Sequence, residues 1–271
     1  MSADMEIICV GNELLIGKTV NTNAQWIGKQ ATATGITVKR VTVVADEVNE
    51  IANAIREALQ RKTHFTIVTG GLGPTFDDKT LEGIAKALNR NLAVNTTALR
   101  MVRERYETYA KEKGTETVEL TPPRIKMATL PEKAEPVPNP VGTAPGVRVE
   151  LKQTILIALP GVPSEMKAIF NETVAPLLGQ ASGKIVFYER SIYVDGVMES
   201  SLAPLVARVM RDNLGVYVKS HPKGRESKPH IEIHVSTTSK DAKKAEAKLE
   251  RAIMQLSDMV GKIGGRRMVC E

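Results

Sequence analysis

The chain has 271 residues, too many for one small domain and suited to one large or two modest ones. Hydrophobic residues make up 42% and aromatic residues only 4%, so a sizeable core must be packed from aliphatic side chains. No apolar run is long enough to span a bilayer, and Met1-Ser2-Ala3-Asp4 lacks the features of a signal peptide, which predicts a soluble cytoplasmic protein with no membrane partner. The net charge of +6 is unevenly spread: residues 1–182 hold 21 basic against 20 acidic residues, and residues 183–271 hold 16 against 11. A solvated basic face explains that excess without a partner. With only Cys9 and Cys270, neither a structural disulfide nor a thiol metal site is expected.

The first half alternates strand and helix patterns. Glu6–Val10 reads as a strand, residues 23–34 as a helix with Ala24, Ile27 and Ala31 on one side, and residues 38–45 as a second strand. A helix over 47–60 follows, with Ile51, Ile55, Ala58 and Leu59 at helical spacing. A buried strand at 65–69 and a helix at 79–88 come next. Repeated βα units imply a mostly parallel sheet with helices on both faces, and ligands in such sheets sit at the carboxyl ends of the strands. A polar helix is expected at about 96–112. The proline-rich stretch 121–140 reads as a hairpin or surface excursion. Strands at 147–151 and 155–159 precede a helix opened by Pro163 and running to about Leu178. A boundary falls at 179–183. Beyond it strand 185–194, helix 199–213, strands 215–219 and 230–237 and helix 240–259 predict a small α+β domain. The predicted domains are thus residues 1–182 and 183–271.

All three early strands end in residues that suit a site. After Phe65–Val68 comes Thr69-Gly70-Gly71-Leu72-Gly73-Pro74-Thr75-Phe76-Asp77-Asp78-Lys79-Thr80. Glycines allow φ > 0 and let successive N–H groups converge, while the following helix turns its positive dipole end to the same place. That combination suits a phosphate. It is neither a Walker loop nor a Gly-x-Gly-x-x-Gly fingerprint. Asp77 and Asp78 either cap the helix or serve a metal or a water. Gly11-Asn12-Glu13 and Asn21-Thr22-Asn23 follow the first strand, where turns and a cap are the plain explanation and Glu13 and Asn23 the candidate ligand groups. Asp46 follows the second strand and precedes a helix, where a cap is the plain explanation. Asn139, Gly142, Thr143, Pro145 and Gly146 form a turn-rich loop. Pro160, Gly161 and Glu165 join a strand to a helix, with Glu165 otherwise a capping residue. His64, His221, His230 and His234 form no metal set on spacing.

These four segments together resemble the CinA family, whose first domain has the molybdopterin-binding fold of MoaB- and Mog-type proteins. The resemblance covers Gly-Asn-Glu-Leu-Leu with Thr-Asn-Ala, the glycine loop, Asn139–Gly146 and Pro160–Glu165. It implies a three-layer α/β/α domain followed by a small KH-like α+β domain. It places Asp46, Asp77 and Asp78 in the active site, with Asp46 and Asp78 as ligands of Mg²⁺ or Mn²⁺. The substrate groove would then be Glu13, Asn23, Gly70, Gly71, Leu72, Gly73, Pro74, Thr75, Thr80, Asn139, Gly142, Thr143, Pro145, Gly146, Pro160, Gly161 and Glu165. The N–H groups of Gly71 to Thr75 would cradle a diphosphate. The activity implied is metal-dependent hydrolysis of a nucleotide diphosphate such as ADP-ribose. The alternatives are a molybdopterin-binding or adenylylating protein and a non-catalytic nucleotide binder. Relatives also imply a homo-oligomer. Longer CinA-type proteins carry a deamidase domain, which is not expected here. The KH-like domain implies no RNA binding, because Gly261-Lys262-Ile263-Gly264 follows the last helix instead of joining two.

Overall fold

Strand β1 (Asp4–Val10) organises the first half of the chain because it is apolar on both sides. Ile8 and Val10 enter one hydrophobic cluster, while Met5, Ile7 and Cys9 enter another. After it come α1 (Asn12–Leu15), α2 (Thr22–Ala33), β2 (Thr37–Val44), α3 (Val48–Gln60), β3 (Phe65–Thr69) and α4 (Thr80–Leu88). Then follow β4 (Leu92–Val94), α5 (Thr96–Glu112), α6 (Pro122–Lys126), β5 (Thr129–Pro131), β6 (Glu135–Val137), β7 (Gly146–Glu150), β8 (Ile155–Leu159), α7 (Pro163–Ile169) and α8 (Ala175–Ala181). The computed structural model describes residues 3–112, 119–224 and 229–268. It divides into one unit of residues 1–32 and 36–182 and a second of 33–35 and 183–271.

The main sheet has the order β2-β1-β3-β8-β7-β6, with β2, β1, β3 and β8 parallel and β7 antiparallel to both neighbours. Helices α3, α4 and α5 cover one face through Ile51, Ile55, Ile84 and Val102. Helices α2, α7 and α8 cover the other through Ile27, Met166, Phe170 and Leu178. This is the three-layer, mostly parallel architecture expected of the MoaB/Mog-like type. Trp26 packs edge-on against Phe170 at 5.2 Å, inside the second layer.

One acidic residue interrupts β1. Glu6 is 1% exposed. Its carboxylate accepts two hydrogen bonds from Arg61, at 2.7 and 2.8 Å, from the end of α3. Such a bidentate pair satisfies a charge that could not otherwise stay in the core.

The 121–140 stretch differs from the hairpin or surface excursion expected. Met127, Ala128, Leu130 and Val137 are buried, and β5 pairs antiparallel with β4 while β6 forms an edge of the main sheet. Its prolines hid this order. Pro122 opens α6, and Pro131 and Pro136 sit in short strands, where a missing N–H is tolerated at edges. The helix from Pro163 also runs on to Ala181 through a π-helical stretch, Phe170–Val174. Pro176 lies just beyond, and its ring disfavours an ordinary α-helical bond to Glu172.

The second unit contains β9 (Val186–Asp195), α9 (Glu199–Asp212), β10 (Val216–Pro222), β11 (His230–Ser239), α10 (Ala242–Lys262) and β12 (Arg266–Met268). Its antiparallel sheet runs β10-β11-β9-β12. Ile192, Val194, Val218, Ile231, Ile233 and Val235 pack against α9 and α10. On alternate positions His230 pairs with Asp195 at 2.6 Å and His234 with Glu189 at 2.7 Å. The histidines are therefore cross-strand polar partners. Helix α10 extends past residue 259 to Lys262, so Gly261 lies within it and the Gly-x-x-Gly string marks a helix end. Cys270 lies outside the described residues. Among those described, no helix is long and apolar enough to cross a membrane.

Candidate functional site

The carboxyl ends of the parallel strands are stitched together by their own backbones. The Gly11 N–H donates to the Val44 carbonyl at 3.1 Å, and the Gly70 N–H to the Leu159 carbonyl at 3.0 Å. The glycine loop then turns sharply, with φ +108° at Gly70 and +65° at Gly71. A Cβ on Gly70 would lie 2.2 Å from the Val10 carbonyl oxygen, so only glycine fits this turn. Buried Thr80 fastens the loop to α4: its hydroxyl donates to the Gly70 carbonyl at 2.7 Å and its N–H to the Gly71 carbonyl at 3.1 Å. Thr80 thus holds the loop from behind.

The aspartates organise the far end of the same loop. The Thr75 N–H donates to Asp78 Oδ2 at 2.8 Å, and the Thr75 hydroxyl meets both the Asp77 and Asp78 carboxylates. Lys126 donates from α6 to the Thr75 carbonyl. The Thr75 hydroxyl, helped by the Asp77 N–H and by Lys126 and Lys79, holds the Asp77 carboxyl below the usual carboxylate range. Because Asp78 takes the Thr75 N–H, the expected cradle shortens at that end. Among the described residues, the N–H groups of Gly71, Leu72 and Gly73 have no acceptor within the chain. Those three residues line a cavity of about 370 Å³ with Asp78, Leu81, Leu92 and Lys126.

On the other side of the loop, Glu13, Asn23, Gly70 and Gly161 line a smaller cavity of about 120 Å³. The Asn23 amide donates to the Gly161 carbonyl at 2.8 Å and to Thr69 Oγ1 at 3.3 Å. Its Oδ1 is buried with no partner among the described residues. Thr69 in turn donates to the Pro160 carbonyl at 3.2 Å. Asp46 does not stand free at its strand end: its Oδ2 accepts the Asn12 N–H at 2.7 Å and ties β2 to the first turn of α1.

Cys9 also lines this cavity, and burial pushes its thiol above the ordinary value of about 9.0. A raised pKa favours folding below the unfolded value, and that contribution is lost as pH rises through the folded one. In a Cys270→Ser background, stability should therefore begin to fall above about pH 9, and Cys9→Ala should remove that part of the slope. Denaturant titrations across pH 8–11 measure it.

The 139–146 loop is built around buried Asn139. Its amide donates to the Ala144 carbonyl at 2.8 Å and to Glu165 Oε2 at 2.7 Å, while its Oδ1 accepts the N–H groups of Val141 and Gly142. Asn139 and Glu165 thus shape the loop, and a Cβ on Gly142 would strike the Glu165 carboxylate at 1.9 Å. Asn139, Thr143 and Pro145 line a third cavity with Arg105. Gly146 opens β7, beside the Ala158 carbonyl, and Pro74 is exposed at the loop tip. The expected groove is therefore divided: two depressions flank the glycine loop, and the third is lined by the 139–146 loop and α5.

Oxygen ligands on Asp46 and Asp78 would suit Mg²⁺ or Mn²⁺. Each carboxylate already accepts a backbone N–H, however, and no three His, Cys, Asp or Glu side chains gather as a metal cage among the described residues. The side chains present do not by themselves fit a metal centre. Sequence reading missed Lys126, which lies in the stretch taken for a surface excursion. The pairing of β4 with β5 helps to bring α6 to the loop.

Residues 6–180 match the family model described as a probable molybdopterin binding domain. A protein of Caldivirga maquilingensis is 48% identical over 252 residues, covering 92% of this chain and 94% of its own length. Among solved structures, the protein CinA from Thermoplasma acidophilum aligns at 42% identity and a TM-score of 0.58, over 64% of this chain and 98% of that one. A molybdopterin biosynthesis protein from Mycobacterium abscessus aligns at 17% identity and a TM-score of 0.45, over 67% of this chain and 94% of that one.

Proposed function

The chain belongs to the family of probable molybdopterin binding domains, and on that footing we propose that its first unit binds a phosphate-bearing pterin or nucleotide at the glycine loop. The observation that carries this reading is the run of unpaired N–H groups at Gly71, Leu72 and Gly73, beside a cavity and a lysine. Backbone N–H groups left without acceptors are costly unless water or a ligand meets them, and a phosphate oxygen is a strong acceptor. The ring of a pterin or purine then needs only an adjoining slot. The likeness to CinA of Thermoplasma acidophilum favours a CinA-type protein within this family. Isothermal titration of the full chain with AMP, ADP-ribose and a phosphorylated pterin tests the proposal. Saturable binding of at least one is the expected result, and no heat with all three would refute it.

A second reading is hydrolysis of a nucleotide diphosphate of the ADP-ribose type with Mg²⁺ or Mn²⁺. Asp77 supports it by placing a carboxylate on the Thr75 hydroxyl at the far end of the loop. No three His, Cys, Asp or Glu side chains gather around Asp46 or Asp78 among the described residues, so no catalytic step is assigned to them. Incubation with ADP-ribose and either ion, read by chromatography, decides it. Absence of AMP and ribose 5-phosphate, or undiminished turnover in Asp78→Asn, removes hydrolysis and leaves binding standing.

A further inference from the structure

Helix α10 of the second unit carries its charge against the local rules for a helix. Leu249, Ala252, Ile253, Leu256 and Val260 bury one side of it in that unit's core. The other side of its first half is exposed and holds Lys243, Lys244, Lys248 and Arg251. Among the described residues, none of these four meets a carboxylate within ion-pair distance. Lys243 and Lys244 stand in the first turn, which holds no acidic residue, so they face the positive end of the helix dipole. Lys244 and Lys248 are four positions apart and Lys248 and Arg251 three, spacings at which like charges repel. Two neighbouring carboxylates are occupied elsewhere. Asp241 accepts the Lys244 N–H at 3.2 Å as the helix cap, and Glu250 turns to Arg190 at 3.6 Å. Glu246 forms no ion pair among the described residues.

We propose that this face of α10 binds the phosphate backbone of a nucleic acid without reading its bases. Folding gains nothing from the row of cations, and a polyanion laid along it relieves both the dipole clash and the mutual repulsion. Positions that break local rules without a structural return are where function is expected. The row from Lys243 to Arg251 covers about 12 Å of helix axis. That length meets three or four phosphates of a strand at about 3.4 Å each. The residues 183–271 also hold 16 basic against 11 acidic residues, a surplus that draws a polyanion to this unit. Helix α10 has no aromatic residue on which a base could stack, so binding should be indifferent to sequence. A lipid surface fits less well. An interfacial helix inserts its apolar side, and α10 has spent that side on the core. Met254, further along, is the one large apolar side chain exposed within the helix. The Gly261–Gly264 string lies at the opposite end of α10 and takes no part.

Fluorescence anisotropy of the full chain with a labelled DNA duplex and a single-stranded RNA, each about 20 nucleotides long, tests the proposal. At least one should bind, and for the duplex log K should fall against log salt with a slope of about −3 to −4, as four phosphate contacts require. Lys243→Glu combined with Lys244→Glu should weaken binding at least tenfold. The thermal midpoint by circular dichroism should hold or rise in that variant, because acidic residues in a first turn suit the dipole. Arg100→Glu combined with Arg103→Glu makes the same change in net charge on α5 of the first unit, at exposed positions. It should alter binding less than twofold. Binding of neither nucleic acid, or an equal loss in the two double variants, would show a merely solvated face and overturn the inference. Vesicles of phosphatidylserine and polyglutamate serve as rival polyanions. Tighter binding of either than of the nucleic acids, lost in Lys243→Glu with Lys244→Glu, would assign the face to another partner and equally overturn it.

Discussion

Arg61→Met should lower the stability of the first unit by about 3–5 kcal/mol, because it leaves the Glu6 carboxylate buried and unpaired. Glu6 sits on β1 between β2 and β3, buried beneath the Arg61 side chain. For a unit of this size the loss corresponds to a fall in Tm of roughly 6–20 °C. Arg61 is partly exposed, with about a third of its side chain open to solvent, so its own removal creates little cavity. The cost comes from the partner left behind. The pairing can be separated from this penalty with Glu6→Leu combined with Arg61→Met, which removes both charges. That double variant should recover most of the lost stability, since apolar replacement of a buried pair is often neutral or better. Trp26 is the sole tryptophan and packs, partly buried, against the core of the first unit, so its fluorescence reports that unit's unfolding separately. A double variant no more stable than Arg61→Met would show that Glu6 contributes something besides its charge.

The same contrast explains what could be read without coordinates. Strands β1, β3 and β8 announce themselves because both faces are buried and their sequences are mostly apolar, with Glu6 the one charge inside β1. Helix α3 announces itself through Ile51, Ile55 and Ala58 at helical spacing. The three-residue strands β4, β5 and β6 carry too few residues for any period, and two contain proline. The Glu6–Arg61 pair spans 55 positions, and Asn139 meets Glu165 across 26, so neither contact has a local signature. A lone acid inside an apolar strand was the one visible hint, since such a residue demands a partner. Site residues were legible as residue types at strand ends. Their division into cavities was not, because it depends on side chains such as Asn139, Asp46 and Asp78 turning to backbone partners.

Gly70→Ala should disable the site and destabilise its support together. At φ +108° an alanine is strained, and its Cβ would lie 2.2 Å from the Val10 carbonyl oxygen, a backbone atom at the end of a central strand. Neither the strand nor the loop can give easily. The Val10 end is held between β2 and β3, and the Gly70 N–H and carbonyl are fixed by Leu159 and Thr80. Strain and overpacking together should cost about 2–4 kcal/mol. Relief requires the loop to lift from Thr80, which moves Gly71–Gly73 and scatters their unpaired N–H groups. Phosphate-bearing ligands should then bind at least tenfold more weakly at a temperature where Trp26 fluorescence still shows a folded unit. Thr80→Val provides the comparison: it frees the Gly70 carbonyl without changing the backbone path, so its cost should stay near 1–3 kcal/mol. Undiminished binding in a folded Gly70→Ala protein would mean that the anion is held somewhere other than this loop.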